Sequence, residues 1–172
     1  IPLQSGNDDV LKAMNRPYTR EAYYERISQI RQELDQVSIS CDIITGFPEE
    51  SDAQHEDAMN FVRKCGFAFM HVFPYSEREG TRAVSMKQVP VPVRKKRAKE
   101  MIALSDQMRI RYEESRLGEE DIMVAETYDD GYTTGYTSDY ICVRTEGQLP
   151  HGQMVRVHLE EIRDGQMYAR KV

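Results

Sequence analysis

The residues best suited to chemistry in the first half of the chain are a carboxylate and an arginine beside predicted strands. Asp42 lies in an apolar, β-branched run that ends at Gly46. A buried carboxylate there needs a ligand or an arginine as its partner. Arg78 follows the next apolar run, and its guanidinium can hold a phosphate or carboxylate through two hydrogen bonds. Since ligands of α/β proteins bind at the carboxyl ends of strands, both residues suggest a small-molecule site. A structural ion pair and a solvated loop arginine are the alternatives.

Two other groups have side chains that could contact nucleic acid. Arg94, Lys95 and Lys96 cluster at a predicted helix start, where cations oppose the helix dipole. They indicate a contact with an RNA backbone or a solvated helix face. Four tyrosines then recur at four-residue steps near two arginines: Tyr128, Tyr132, Tyr136, Tyr140, Arg144 and Arg156. Their rings could stack on unpaired bases, or fill the core of a small barrel.

Composition and charge indicate two soluble, globular parts. The chain has 172 residues, of which 40% are hydrophobic and 30% are charged. Residues 118–172 contain 5 Lys or Arg against 11 Asp or Glu, whereas residues 1–117 contain 18 of each. We therefore expect one domain in 1–117 and another in 118–172. No apolar run is long enough for a membrane span, and three widely spaced cysteines are typical of free thiols in a cytoplasmic protein rather than of a metal site.

Hydrophobic periodicity predicts parallel strands with crossover helices in residues 1–117. Helices are expected over 8–14, 19–34, 52–64 and 93–116, strands over 37–45 and 67–75, and a further strand end at 1–6. Three such units with no closing partner correspond to the C-terminal half of an α/β barrel. The abrupt start at Ile1 is read as the cut end of a longer protein.

Short alternating runs separated by glycine turns predict a small antiparallel β-barrel after Gly118. The predicted strands are 122–127, 135–136, 140–144, 154–160 and 167–170. A closed barrel of five strands removes exposed edges. Because this part is acidic, we expect its RNA binding to be selective, modest and lost quickly with salt.

Four motifs in order resemble one enzyme family, and they cover nearly the whole chain. They are residues 2–6 (PLQSG), 14–19 (MNRPYT), 42–48 (DIITGFP) and 75–81 (YSEREGT). Together they resemble the C-terminal half of the radical S-adenosylmethionine (SAM) methylthiotransferases, and the last 50 or so residues resemble the RNA-binding TRAM domain of those enzymes. The segment 71–81 is most similar to the branch that methylthiolates N6-threonylcarbamoyladenosine in tRNA. The isopentenyladenosine branch and the ribosomal-protein branch are the alternatives.

This resemblance implies SAM and two [4Fe-4S] clusters in the full-length enzyme, and no cluster or catalysis in this fragment alone. It also implies which residues form a cofactor wall. Gln4 and Ser5 would meet the ribose hydroxyls or the methionine end, and Ile44 and Phe73 would pack on adenine. Asp42, Ser76 and Arg78 complete the expected cofactor-binding set, while His71 is interpreted as a core histidine.

Two residues depart from the usual sequence of the family, and one macromolecular partner is expected. Glu49 stands where the family usually has glycine, which questions a positive φ at that turn; Asn7 stands where serine is usual. The expected partner is tRNA, contacted by Lys95, Lys96, Tyr136 and the other candidates above, with no membrane involved. Half a barrel also leaves strand edges that favour self-association. A non-catalytic RNA-binding module is the competing function.

Overall fold

A computed structural model describes residues 1–172 as two compact units, Ile1–Arg109 and Ile110–Val172. The division falls within a long helix, and the predicted boundary at Gly118 lies just beyond the end of that helix. None of the helices has the length and apolar character needed to cross a bilayer.

The first unit alternates helices with two parallel strands, as the periodicity predicted. Its elements are α1 (Asp8–Ala13), α2 (Arg20–Glu33), β1 (Ser40–Thr45), α3 (Asp52–Cys65), β2 (Phe69–Pro74), a 3-10 helix (Arg82–Ser85) and α4 (Val91–Ser115). Strands β1 and β2 pair in parallel, with Asp42 opposite His71 and Ile44 opposite Phe73. Gln4 adds a single parallel bridge beside Ile43. The predicted α/β architecture is therefore confirmed.

Local sequence signals explain where the helices begin and end. The side chain of Asn7 accepts hydrogen bonds from two backbone N–H groups at the start of α1, and the side chain of Thr19 accepts one at the start of α2. Ser51 and Gln54 form a reciprocal capping box at α3. Helix α3 ends at Cys65 and is capped by Gly66, whose φ of 60° suits a residue without a Cβ.

The small sheet buries one face and leaves the other open. Cys41, Ile43 and Thr45 of β1 point into the core, where helix residues such as Ile27 and Val62 meet them. The alternate residues of both strands lie on the opposite face because side chains alternate along a strand. Asp42 and Ile44 are half-buried there, and Phe73 is exposed. This open face carries the candidate site.

The second unit is a closed five-stranded barrel, and that prediction is confirmed. Its strands are β3 (Glu120–Asp129), β4 (Tyr132–Tyr136), β5 (Cys142–Glu146), β6 (Met154–Arg163) and β7 (Gln166–Lys171), in the spatial order β3-β4-β5-β7-β6. Pairing of β3 with β6 closes the barrel. All pairs are antiparallel except β5 with β7, a topology consistent with the expected OB-like fold. Fully buried residues such as Met123, Val143 and Leu159 fill the interior.

Candidate functional site

A cavity of about 860 Å³ lies over the carboxyl ends of the strands in the first unit. Its floor is the open face of the sheet, with Gln4, Asp42, Ile44 and Phe73 side by side. The positions follow from the strand register, since Gln4 bridges to Ile43 and Ile44 pairs with Phe73. The sequence placed these four residues at one site, and the structure brings them together.

Two connecting segments form the walls of this cavity. Residues 13–16 begin at the last residue of α1, and residues 74–83 begin at the last residue of β2. The lining from these segments and the β1 turn comprises Ala13, Met14, Asn15, Arg16, Phe47, Pro74, Tyr75, Ser76, Arg78, Thr81, Arg82 and Ala83. Ser76 and Arg78 were expected here, whereas Arg16, Phe47, Tyr75 and Arg82 were not singled out as cavity residues. Arg16 and Tyr75 lie within the motifs that carry the resemblance, so motif membership was the signal that could have found them.

The turn after β1 is fixed by a close approach and by one hydrogen bond. Gly46 has a φ of 69°, and a Cβ there would lie 2.7 Å from Cγ of Arg94, so only glycine fits without displacement. The N–H of Gly46 donates to Oε1 of Glu50 at 3.0 Å. Glu49 adopts a φ of 67°, the strained conformation that its sequence position had put in question. Its N–H donates to the carbonyl oxygen of Lys87.

Ion pairs around the buried Arg97 and Glu50 hold this turn from behind. Arg97 donates to Oε1 of Glu50 at 2.8 Å and to Oδ1 of Asp52 at 2.7 Å. Burial raises the pKa of Glu50, while the Gly46 N–H and Arg97 act in the opposite direction. His55 lies beside this pair and bonds Glu100 at 3.0 Å. Burial lowers the pKa of His55, and the hydrogen bond to Glu100 opposes that shift.

Arg94 is a structural residue in this fold, which corrects its expected place on the surface. It is 5% exposed. Its guanidinium donates to the carbonyl oxygens of Val89 and Tyr75 and to the side chains of Glu77 and Gln88. These bonds use the donors that an RNA phosphate would need. Lys95 and Lys96 are exposed on α4, so the basic cluster is reduced to its lysines.

Two other expectations differ from the structure. Ser5 is 2% exposed, does not line the cavity, and accepts a hydrogen bond from the N–H of Asn7. Its hydroxyl supports the chain behind the floor. His71 was interpreted as a core histidine and is instead exposed, packed edge-on against Phe69 at 5.3 Å between ring centroids. Side chains alternate along β2, so His71 lies on the open face of the sheet. Its apolar neighbours in the sequence had suggested a core position instead.

The barrel presents its tyrosines outward, so the core-filling alternative fails for most of them. Tyr128, Tyr136 and Tyr140 are exposed, Tyr140 to 75%. Arg156 is exposed as well. Arg144 is half-buried, with its guanidinium 5.0 Å from the centroid of the Tyr132 ring.

An apolar row beside Tyr136 was missed by sequence reasoning. Val124 pairs with Tyr136 on one side and with Met154 on the other, so the three lie across adjacent strands β4, β3 and β6. All three are exposed. The signal was present as period-two alternation in β3, where Ile122 and Val124 occupy the outward positions.

Comparisons with known proteins identify the family. Residues 1–62 match the model described as the radical SAM superfamily. Threonylcarbamoyladenosine tRNA methylthiotransferase MtaB of Bacillus subtilis is 36% identical over 92% of this chain. tRNA-2-methylthio-N(6)-dimethylallyladenosine synthase of Petrotoga mobilis is 30% identical over 100% of it. The chain belongs to the radical SAM methylthiotransferase family.

The similarity within this family does not favour one branch of methylthiotransferases over another. An MtaB of Rickettsia prowazekii is 33% identical over 97% of the chain, so relatives named for either substrate are similar throughout. The chain spans 37% to 40% of the length of these three relatives.

The cavity suits the SAM molecule that the family implies. Its volume falls in the range of about 300–1,000 Å³ that is usual for small-molecule sites. Asp42 and Gln4 offer acceptors for hydroxyl or amino groups, and the guanidinium of Arg78 offers donors for a carboxylate. Ile44 and Phe73 offer apolar surface for an adenine ring. The hydroxyl of Tyr75 is buried without a hydrogen-bond partner in the protein, so the cavity lining also contains an unsatisfied polar atom.

The cysteines do not suit an iron–sulfur cluster. Cys41, Cys65 and Cys142 lie on β1, α3 and β5, and no group of three or more histidine, cysteine or acidic side chains is placed to hold a metal. Clusters are ligated by thiolates, whereas burial raises the pKa of Cys65 to about 12 and that of Cys41 further still. Cys41 and Cys65 are therefore packed as neutral thiols.

Proposed function

We propose that this chain is the cofactor-facing and RNA-facing part of a tRNA methylthiotransferase that acts on N6-threonylcarbamoyladenosine. The observation that carries the proposal is the cavity in which Gln4, Asp42, Ile44, Phe73 and Arg78 meet. Predicted from separate motifs, they converge at one strand-end site. The choice of branch rests on the resemblance of residues 71–81, since relatives named for either nucleoside match the chain alike.

The chain's own residues bind and orient, while the cofactor supplies the chemistry. Bound SAM would provide a carbon radical on reductive cleavage, and the sulfur and the cluster ligands would come from parts of the full-length enzyme other than these residues. Asp42 and Gln4 would fix the hydroxyl or amino groups of the cofactor, and Ile44 and Phe73 would hold its adenine ring. Arg97 and Glu50 would keep the Gly46 turn in the geometry that this wall needs.

The barrel and the exposed lysines would contact the tRNA. Tyr136 and Tyr140 present aromatic faces to solvent, and base–aromatic stacking needs accessible rings. Lys95 and Lys96 would meet phosphates. With tRNA as its substrate, the enzyme would work in the cytoplasm.

The dimethylallyladenosine branch is the second candidate, and one observation favours it. Much of the cavity lining is apolar: Ile44, Phe47, Phe73, Pro74 and Ala83. An uncharged dimethylallyl group would fit against such a surface. The two functions thus differ in whether the cavity recognises a charged or an apolar substituent on adenosine.

Nucleoside analysis of tRNA tests the proposal directly. We expect a strain that lacks the gene for this protein to lose the 2-methylthio derivative of threonylcarbamoyladenosine and to keep that of dimethylallyladenosine. Complementation with the wild-type gene should restore it, and a full-length Asp42→Asn variant should restore less. Loss of the dimethylallyl product instead would reject the proposed branch. Calorimetry of SAM binding to the same Asp42 variant separates a cofactor defect from an RNA defect.

A further inference from the structure

Two arginines on one wall of the cavity have no partner in the protein. Arg78 and Arg82 both line the cavity, both are exposed to solvent, and their guanidinium groups make no hydrogen bond or ion pair within the protein. Glu77, the acidic residue just before Arg78, is held by Arg94 at 3.1 Å. Asp42 is the one carboxylate in the lining. The wall is therefore cationic and lacks its counter-charge.

The backbone that carries these arginines is braced. The hydroxyl of Thr81 donates to the carbonyl oxygen of Arg78 at 2.8 Å. The amide of Gln88 donates to the carbonyl oxygens of Ala83 and Met86, and its oxygen accepts from Arg94 at 2.9 Å. Because this segment is tied to the buried Arg94, the side chains of Arg78 and Arg82 extend from a backbone that is held in place. Such an arrangement can recognise an anion with limited loss of conformational entropy.

We propose that Arg78 and Arg82 bind the carboxylate of the threonyl group on the substrate adenosine, and not the carboxylate of SAM that Arg78 was first expected to meet. This inference rests on the proposed function. Threonylcarbamoyladenosine carries a carboxylate on its base, whereas a dimethylallyl substituent carries no charge and would leave both guanidinium groups with water alone. Guanidinium and carboxylate groups match in shape and form paired, charge-assisted hydrogen bonds. Phe73 and Ala83 of the same lining offer apolar contact for the rest of the substituent.

The experiment uses the full-length enzyme with its clusters intact and three anticodon stem-loop RNAs. One RNA carries threonylcarbamoyladenosine, the second its methyl ester and the third dimethylallyladenosine. Dissociation constants are measured by fluorescence anisotropy, which does not depend on turnover, and kcat/KM is measured alongside. We expect the wild type to bind the acid about 10- to 100-fold more tightly than the ester, the range for hydrogen bonds to a charged group.

Arg78→Gln and Arg82→Gln should each reduce the preference for the acid over the ester by at least about threefold, and the double variant should remove it. Arg82→Lys, which keeps the charge but loses the planar fork, should retain part of the preference. Arg26→Gln serves as the matched control, because Arg26 is exposed on α2 and lies outside the cavity lining. Circular dichroism checks that every variant is folded.

Three results would overturn the inference. An equal loss of affinity for acid and ester would assign the arginines to an RNA phosphate. A raised KM for SAM with the preference for the acid unchanged would assign them to the carboxylate of the cofactor. An unchanged preference in the double variant would leave them no role in recognition. In all three cases the wild type still modifies the threonylcarbamoyl RNA, whereas activity on the dimethylallyl RNA alone would reject the proposed function itself.

Discussion

Each unit of the molecule is organised around a buried arginine that gathers carboxylates. In the first unit Arg97 bonds Glu50. In the second unit Arg116 bonds Asp121 at 3.1 Å and also Asp139. Both arginines are nearly inaccessible to solvent, so both depend on their partners to offset the loss of hydration.

The two clusters differ in what they support. Arg97 holds the turn beside a concave cavity, and Arg116 holds the loop at Asp139 against the start of β3 on a convex barrel. The first unit leaves unpaired arginines at its cavity, whereas the second, which is acidic overall, leaves exposed aromatic rings such as Tyr140. The first surface suits an anionic small group, and the second suits the stacking of a base. Under the proposed function, equivalent polar anchors would support two different recognition chemistries.

Removal of an anchor should have the largest effect. Arg97→Met leaves Glu50 buried and unpaired, and we expect a loss of about 3–5 kcal/mol in the free energy of unfolding of the first unit. Urea denaturation followed by circular dichroism measures it. The double variant with Glu50→Gln is the control, since it removes both charges and should recover most of the loss. A single variant as stable as the wild type would show that the cluster is not an anchor.

A change inside the barrel should have the next largest effect. A Cβ at Gly135 would lie 2.1 Å from the carbonyl oxygen of Val124, where β4 meets β3. Gly135→Ala should therefore part the two strands or shift their register, with a loss of about 1–3 kcal/mol as in other overpacked sites.

Gly6→Ala is the matched variant in the first unit, because its Cβ would lie 2.8 Å from the carbonyl oxygen of Ala58. If Gly135→Ala lowers the free energy of unfolding and Gly6→Ala leaves it unchanged, only the barrel is tightly packed around its glycine. Amide hydrogen exchange shows which strands each substitution destabilises. If both substitutions destabilised the same strands, the comparison of the two units would have to be revised.

The elements were largely predictable because their signals are local. Asn7, Thr19 and Ser51 each precede an apolar-periodic run, and each caps a helix in the structure. Short β-branched runs between glycine turns predicted all five barrel strands, because alternation and turns are sequence-local properties. The bounds shifted by a few residues, as in β4, which is longer than the predicted pair at 135–136.

Burial of single charged side chains was not predictable in the same way. Arg94 and Lys95 are neighbours with similar chemistry, yet only the first is buried, because the segment after β2 brings Tyr75 and Glu77 to its guanidinium. His71 looked like a core residue until the pairing with β1 placed it on the open face. The roles of such residues depend on long-range partners, which no local pattern encodes.

The convex surface can be tested at its most exposed ring. Tyr140→Ala should weaken binding of the 172-residue chain to an anticodon stem-loop by about 1–3 kcal/mol at low salt, the range for one base stacked on one ring. Tyr140→Phe keeps the ring and should retain the affinity. An affinity that is unchanged in Tyr140→Ala would argue that the barrel contacts RNA elsewhere or not at all. Anisotropy at several salt concentrations measures both variants.

The smallest expected effect is a pH dependence at the anchor of the first unit. Because burial lowers the pKa of His55 below its ordinary value of about 6.5, the unfolded chain binds a proton more readily than the folded one. The contribution of His55 to stability is therefore full above about pH 6.5 and is lost as the pH falls through the lower, folded pKa. His55 faces Glu50 at 4.0 Å and Glu100 at 3.0 Å, and Glu50, with its raised pKa, changes stability in the opposite direction.

Both carboxyl groups remain in His55→Gln, so the difference between wild type and this variant isolates the histidine. Denaturation of both proteins between pH 5 and pH 8 should give a steeper decline for the wild type on the acid side, with the exposed His71→Gln behaving as the wild type does. Parallel curves for wild type and His55→Gln would mean that this imidazole titrates alike in the folded and unfolded chains.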